Sequence, residues 1–535
     1  MLERRSNWSW QQLLLPALGL LAVAAAVAAA WALALGSPLP LLLAMALIGA
    51  VILVERPILS LQLVVFMFYV NLIPVLIRYH DVLPLVAMAL PVVAITPLAA
   101  RLLTDVSRPI WSATIRVDAA AGLMLVFLAV LIVSTLRARN MEAAFIWTAD
   151  FVVSGLALYL IVVNTIRTRE MLRYVIWAML GAGAFLAAIT IVQELTHSYS
   201  NAYGGFSPMM GSFLDGQSGI WRSRPSGPVA DPNRYAQILL VLVPLGLFQA
   251  RASRGWLRLV LAGMTLLIIG GVVLTYSRGA GVALMLILPL IALLWNVRPR
   301  TIILGGVVAL LALYLIVPGF YDRLDTIRGV ATLFNSDSSI EADRSMRSRL
   351  TKNLAALHMF TDHPVIGVGP DNYGEYSAEY ADPVGSSVNI VGNKAHNLYL
   401  GLLSETGALG FLAFSAAVGV IASGLLRVRR TFADSDQELV DLANAFLLSM
   451  FAYALTAMFL HLSYQRYFWF LLALAGALLA IVREAVREQE IRRDPLPWAT
   501  ETAPPLNQPM LPTPPPNIRP GLAHANPQPQ TRQFP

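Results

Sequence analysis

His396 and Asn397 open an apolar segment that continues Leu-Tyr-Leu-Gly-Leu-Leu-Ser-Glu-Thr-Gly-Ala-Leu-Gly410, directly after the longest polar stretch between two hydrophobic segments. An imidazole of ordinary pKa, ~6.5, can take a proton from a hydroxyl at neutral pH, as a general base must. The plainer alternative is a histidine that caps the helix, a task Asn397 can also perform. Arg278, in Leu-Thr-Tyr-Ser-Arg-Gly-Ala-Gly281, lies between two apolar spans. An arginine there is costly unless it is paired or reaches water. Its planar fork of donors suits phosphate oxygens and stays charged at any relevant pH; the alternative is a snorkelling interfacial anchor.

Arg224 stands in Trp221-Arg-Ser-Arg-Pro-Ser-Gly-Pro-Val-Ala-Asp-Pro-Asn-Arg-Tyr-Ala236, where prolines 225, 228 and 232 and Gly227 rule out regular helix. Arg222 and Arg234 compete with it for an anion-binding role, and ordinary surface charge is the other reading. Asp231-Pro-Asn233 reads as a helix entry with Asn233 as N-cap, and a helix N-terminus favours an anionic group. Glu405 lies nine residues beyond His396, about 180° around a continuous helix, so the two form no dyad and Glu405 reads as supporting or structural. Gly407 and Gly410 are spaced to let another helix approach closely.

These residues need elements to hold them. The chain has 535 residues, 57% hydrophobic and 13% charged, with mean hydropathy +0.65; soluble domains carry about 25% charged residues. Repeated apolar runs of ~17–25 residues make this an all-α polytopic membrane protein of about 12–14 transmembrane helices. The segments are 11–35, 38–54, 58–78, 82–100, 119–136, 149–166, 174–194, 235–250, 257–276, 279–296, 301–318, 397–425, 438–460 and 466–482. The first reads as a span rather than a removed leader.

The net charge of +7 does not point to nucleic acid, because the basic residues punctuate the gaps between spans. One alternate set of gaps holds twenty-one arginines and the other eight, the long loop left aside. The first set is expected to be cytoplasmic, with both termini inside. Two long polar segments, 195–234 and 319–396, then fall outside, together with Arg278 and His396. Residues 494–535, rich in Pro, Gln and Asn, read as a disordered cytoplasmic tail following a transmembrane domain of residues 1–493. No cysteine is present, so disulfides and thiolate metal sites are excluded.

Within the long loop, residues 343–361 read as an amphipathic helix: Met346, Leu350, Leu354 and Leu357 share a face that Arg344, Arg347 and Lys352 do not. It can lie on a bilayer or lid a cavity. His363-Pro-Val-Ile-Gly-Val-Gly369 follows no strand and has no Gly-Lys-Ser, so it reads as a turn rather than a nucleotide loop. His358, His363 and His396 match no metal-ligand spacing.

His-Asn, nine intervening residues and then Gly-x-x-Gly, with Ser-Arg-Gly at 277–279, His-Pro-x-x-Gly-x-Gly at 363–369 and Asp-Pro-Asn at 231–233 (where the pattern often reads Asn-Pro-Asn), resembles the O-antigen ligase and polymerase superfamily over roughly 220–415. The resemblance implies a membrane glycosyltransferase of the bacterial cytoplasmic membrane, active on its external, periplasmic face. It would transfer a glycan from a polyprenyl-diphosphate carrier such as undecaprenyl diphosphate to an acceptor hydroxyl on lipid A core or a growing surface polysaccharide of the cell envelope. His396 and Arg278 would be catalytic. Arg224, Arg278, Asn233 and Asn397 would bind diphosphate or glycan, Arg278 through the carrier diphosphate. Two arginines suffice to balance the leaving charge, so neither metal nor other cofactor is expected. The alternative from another class is a polytopic transporter, of inorganic carbon or of a lipid-linked glycan.

Overall fold

The computed structural model describes residues 56–104, 116–214, 221–316, 341–381, 394–461 and 465–493. The segments at 11–35 and 38–54, the tail at 494–535 and parts of both long loops lie outside the described residues. The other twelve apolar segments are all helical. In chain order the helices are α1 (Pro57–Tyr69), α2 (Leu72–His80), α3 (Pro84–Thr104), α4 (Ala119–Thr135), α5 (Met141–Thr165), α6 (Arg169–Leu195), α7 (Pro232–Ala252), α8 (Gly255–Leu274), α9 (Arg278–Leu294), α10 (Pro299–Ile316), α11 (Glu341–Asp362), α12 (Tyr373–Ala381), α13 (Leu398–Thr431), α14 (Gln437–Ala457) and α15 (Gln465–Arg493). Among the described residues seven helices are long and apolar enough to cross a membrane, or eight if α1 and α2, bent by 55° at Asn71, count as one. This is fewer than the sequence suggests because α4 and α9 are 17 residues long, because α3 and α10 count only over Pro84–Thr96 and Pro299–Val308, and because two of the predicted segments lie outside the described residues. Residues 484–493, the end of α15, belong with the C-terminal segment in a separate unit.

Sequence chemistry sets the helix starts. Asp118, Asn140, Thr168, Asp231, Asn397 and Asp436 each accept hydrogen bonds from backbone N–H groups in the first turn of the helix that follows. Helices α7, α14 and α15 are apolar on most sides and are buried accordingly. The core is aromatic where α4, α5, α13 and α15 meet: Phe127, Phe151, Phe414, Phe468 and the fully buried Trp469 pack edge-to-face, with Phe414 and Phe468 stacked, at 5.0–5.9 Å. Around it, Leu85, Phe145, Leu259, Leu266, Ile303 and Leu304 are each at least 65% exposed, a surface suited to lipid rather than water.

The loops sort into two groups by contact. Arg169 pairs with Asp436 at 2.5 Å, Arg173 with Glu438 at 3.8 Å, Arg251 with Asp441 at 3.9 Å and Arg483 with Asp118 at 3.3 Å, all among the arginine-rich gaps. At the other end the Asn372 amide clamps Asn140, accepting from its N–H at 2.8 Å and donating to its carbonyl at 3.1 Å. Arg139 forks onto Glu379 there and lies 3.8 Å over the Tyr376 ring. Asn71 donates to the Pro228 carbonyl at 2.7 Å and accepts from Arg466.

The 195–234 loop contains a short antiparallel hairpin, β1 (Met209–Leu214) with β2 (Trp221–Pro225), closed by Ser226 donating twice to the Pro208 carbonyl. The 343–361 helix is present as α11, but the face it buries is not the leucine face. Thr351, Lys352, Ala355, Ala356 and Met359 are buried, while Leu350 and Leu357 are 49% and 43% exposed. The small alanines let α11 lie close to its neighbours, α12 and α13, and the leucine stripe faces away.

Helix α13 is not continuous. Gly407 has φ 65° and breaks it after Thr406. The 363–369 turn is spliced into the break. Ala408 and Leu409 donate to the carbonyls of Pro364 and Val365 at 2.8 and 3.2 Å, and the carbonyls of Ser404 and Glu405, which those amides would otherwise have bonded, accept from Val368 and Gly369 at 2.9 and 3.0 Å. Ser134 of α4 closes the junction by donating to the Ile366 and Glu405 carbonyls. A Cβ on Gly407 would fall inside the Val365–Ile366 backbone, and one on Gly367 inside that of Glu405. Gly407 therefore admits a loop rather than a helix; at Gly410 the close neighbours are Thr406 and Val130 of α4. Replacing Gly407 with Ala is expected to lower thermal stability by at least the ~1–3 kcal/mol of a strained left-handed residue. Gly122→Ala in α4, where nothing lies within 4 Å of the added Cβ, should be neutral. Thermal unfolding of the detergent-solubilised protein, followed by tryptophan fluorescence, compares the two.

Candidate active site

Arg224 lies on β2 and is 7% exposed. Its Nε donates to the Thr275 carbonyl at 2.9 Å and an Nη to Asn233 Oδ1 at 3.0 Å. The local sequence explains this placement. Gly227, at φ 56°, lets the loop fold onto the ring of Tyr235, which a Cβ would strike, and Tyr235 is tied to Thr190 of α6 at 2.9 Å. The N-cap of α7 is Asp231, not Asn233: its carboxylate accepts from the N–H groups of Asn233 and Arg234 at 2.8 and 3.2 Å. A carboxylate followed by proline at the first helical position is the better cap, and the Asn233 side chain is thereby left to orient Arg224. Of the competing arginines, Arg234 turns to Asp231 at 3.8 Å and to His461; the side chain of Arg222 lies outside the described ones.

Between α8 and α9 the chain turns through Tyr276 at φ 53°. That turn offers the Thr275 carbonyl to Arg224 and sets Ser277, Arg278, Gly279 and Ala280, the N-terminus of α9, on the wall of a cavity of about 210 Å3. Arg224 and Asn233 line the same cavity. So does Arg349 of α11, a residue the sequence reading passed over. The signal was there: Arg349, Lys352, Ala355, Ala356 and Met359 recur at helical spacing, and an alanine pair marks the face that packs closest. Arg278 and Arg349 are near enough to repel one another. Burial pushes the Arg349 guanidinium and the Lys352 ammonium down from their ordinary values, and Asp231 partly offsets this for Arg349. A cavity walled by three arginines and a helix N-terminus, with the Asp231 carboxylate already engaged in capping, is suited to a polyanion.

His396 stands beside these cations, immediately before the α13 cap. Asn397 is occupied as that cap, accepting from Tyr399 and Leu400 N–H at 2.9 and 3.2 Å. Burial, followed by the charges of Lys352 and Arg349, holds the His396 imidazole down at about 4, so the ring is neutral at pH 7 and can accept a proton. Its ring neighbour is His461, at 5.8 Å between centroids and 71° between planes. Nothing local in the sequence marks His461. Arg234 reaches His461 Nε2 at 2.6 Å. Arginine can only donate, so that nitrogen carries no proton; burial and the Arg234 charge lower the His461 pKa further. His358 and His363 sit elsewhere, the first exposed, the second against the ring of Tyr376.

Glu405 faces away from the arginine cavity. One carboxylate oxygen accepts from Tyr373 N–H at 3.4 Å, and the side chain lines a separate, smaller cavity of about 30 Å3 with Trp147, Asp371, Lys394 and His461.

The fold and site define a class: an all-helical polytopic membrane protein with a cation-lined cavity and a pair of neutral histidines where the long loops meet the helix ends. One comparison bears on the family. The model of the O-antigen ligase family matches residues 237–415, which bears out the resemblance to the O-antigen ligase/polymerase superfamily. The matched region contains Arg278, Arg349, His396, Glu405, Gly407 and Gly410 and begins after Arg224 and Asn233. No curated protein matches the chain.

Proposed function

We propose that this protein is an O-antigen ligase/polymerase-type glycosyltransferase that moves a glycan from a polyprenyl-diphosphate carrier to an acceptor hydroxyl. The observation that carries the reading is the convergence of Arg224, Arg278 and Arg349 on one cavity beside a neutral His396. The acceptor oxygen attacks the anomeric carbon and the bond from that carbon to the diphosphate oxygen breaks. His396 takes the acceptor proton. The charge that grows on the departing diphosphate falls among the three arginines and the N-terminal amides of α9. With these cations in place the charge balance invokes no metal ion. Asn233 holds Arg224 in position, and Asn397 fixes the helix end from which His396 projects.

The arginine bias of the opposite gaps supports placing this site on the external face of a bacterial cytoplasmic membrane, with both termini inside. The acceptor would be lipid A core or a growing surface polysaccharide. Transport would call for broken helices that line a path. The break at Asn71 is filled by Asn71 itself, 2% exposed and bonded to Pro228, and the break at Gly407 by the 363–369 turn, which favours structural kinks at both.

The test is a gel of surface glycans from a deletion strain complemented with wild type and with His396→Ala. Polymer stranded on the polyprenyl carrier identifies a ligase, and a single repeat on the acceptor a polymerase. Unchanged glycans, or full restoration by the alanine variant, would overturn the enzyme reading.

A further inference from the structure

Three observations outside the arginine cavity lie along one helix. Trp147 of α5 lines the small cavity on the other side of His461, with Asp371, Lys394 and Glu405. Asp150 and Ser154, one and two turns further along α5, line a second cavity of about 190 Å3 with Gln465 and Arg466. Residues 147, 150 and 154 follow i, i+3, i+7 spacing and so share a face over ~10 Å of helix. This run falls where α5 departs from regular geometry, because residues 151–157 form a π-turn, a distortion often found at functional sites. The turn is packed from behind by Phe151 and Trp469, which leave no room for a side chain at Gly155. Its polar groups are arranged among themselves: Ser154 donates to Asp150 Oδ1 at 2.7 Å, and Gln465 donates to Oδ2 at 2.7 Å.

Charge divides these cavities from the first. Among the described residues the arginine cavity is lined by three guanidiniums and no carboxylate. The two along α5 mix the charges: Asp150 faces the Arg466 guanidinium in one, and Asp371 and Glu405 outnumber Lys394 in the other, where Lys394 is held in an ion pair by Asp371 at 2.5 Å. Carboxylates repel a diphosphate, but they accept hydrogen bonds from sugar hydroxyls, and an indole offers an apolar face with a polar edge. His461 lines the first of the two cavities and its ring lies against His396. The histidine pair thus stands between the anion-binding side and the hydroxyl-binding side.

We infer that the face of α5 formed by Trp147, Asp150 and Ser154, opposite Gln465 and Arg466, is the acceptor subsite: it takes the uncharged, hydroxyl-bearing sugars of the acceptor glycan and leads its reactive hydroxyl past His461 to His396. The inference rests on the proposed transferase reaction and adds where the second substrate binds.

The test uses the full-length protein in lipid nanodiscs and two probes: undecaprenyl diphosphate, and a soluble oligosaccharide released from the native host's own surface polysaccharide. Trp147→Ala and Asp150→Asn are each expected to weaken oligosaccharide binding at least tenfold while leaving undecaprenyl diphosphate binding within twofold, which also shows that the variants fold. Arg278→Ala should do the reverse. If both α5 variants leave oligosaccharide binding unchanged, if they weaken diphosphate binding instead, or if the wild type binds no oligosaccharide, the subsite assignment is wrong. If Arg278→Ala keeps full diphosphate binding, the donor side of the proposed reaction fails, whatever the α5 variants do.

Discussion

Arg349→Ala is expected to lower glycan transfer by about 10²–10³-fold, the loss typical when one charge-stabilising donor is removed from a transition state. Arg349 lines the cavity with Arg224 and Arg278. Burial disfavours its guanidinium and Asp231 offsets this only in part; a bound anion would relieve the rest. The loss should therefore appear mostly in turnover if the diphosphate gains its extra charge in the transition state, and in donor affinity if the resting diphosphate already saturates the arginines. Arg349→Lys keeps the charge but not the fork and should recover only part of the rate. Arg139, bound to Glu379 on the protein surface with both side chains about half exposed, is the matched control, and Arg139→Ala should change transfer less than fivefold. In vitro transfer from a polyprenyl-diphosphate-linked glycan measures all three. Near-wild-type activity in Arg349→Ala would remove that residue from the site.

The second large effect belongs to His396. His396→Ala should cost about 10²–10⁴-fold, the usual contribution of a general base. The pH dependence is the more specific test. The folded imidazole titrates at about 4, below the ordinary ~6.5 of a free histidine. The active form is the neutral one, so the rate should stay flat as pH falls through 6.5 and decline only as it approaches 4. Lys352 is the first of the charges that hold the ring neutral. Lys352→Met removes that charge, raises the His396 pKa and should move the acid limb of the rate profile to higher pH. A wild-type limb centred near 6.5 would show that His396 is either solvated during turnover or not the base.

How far these residues could be read in advance depended on where their partners lie in the chain. His396, Asn397, Glu405 and the two glycines fall within fifteen residues, and Arg278 interrupts an apolar run, so each was visible locally. The helices were visible for the same reason: apolar length is a property of a continuous segment. Arg349 was hidden because it is one of several arginines in a helix whose leucines suggested the wrong buried face, and only the packing of Ala355 and Ala356 chooses between faces. His461 was hidden because its partner ring comes from a distant loop. Asn233 was assigned the capping role that Asp231 takes, since spacing does not decide which of two neighbouring oxygens reaches the helix end. The break at Gly407 was equally invisible, because it depends on the 363–369 turn being available to replace the lost helical bonds.

That splice also bears on how such a protein could diversify. The reciprocal bonds between 363–369 and 404–409 close the intervening chain at its base, and the Asn397 cap fixes its return point. A loop anchored in this way changes its closure entropy only slowly with length. On the proposed reaction, a change of chain length between these two anchors would leave His396 at its place before the α13 cap, and one frame could serve different glycans.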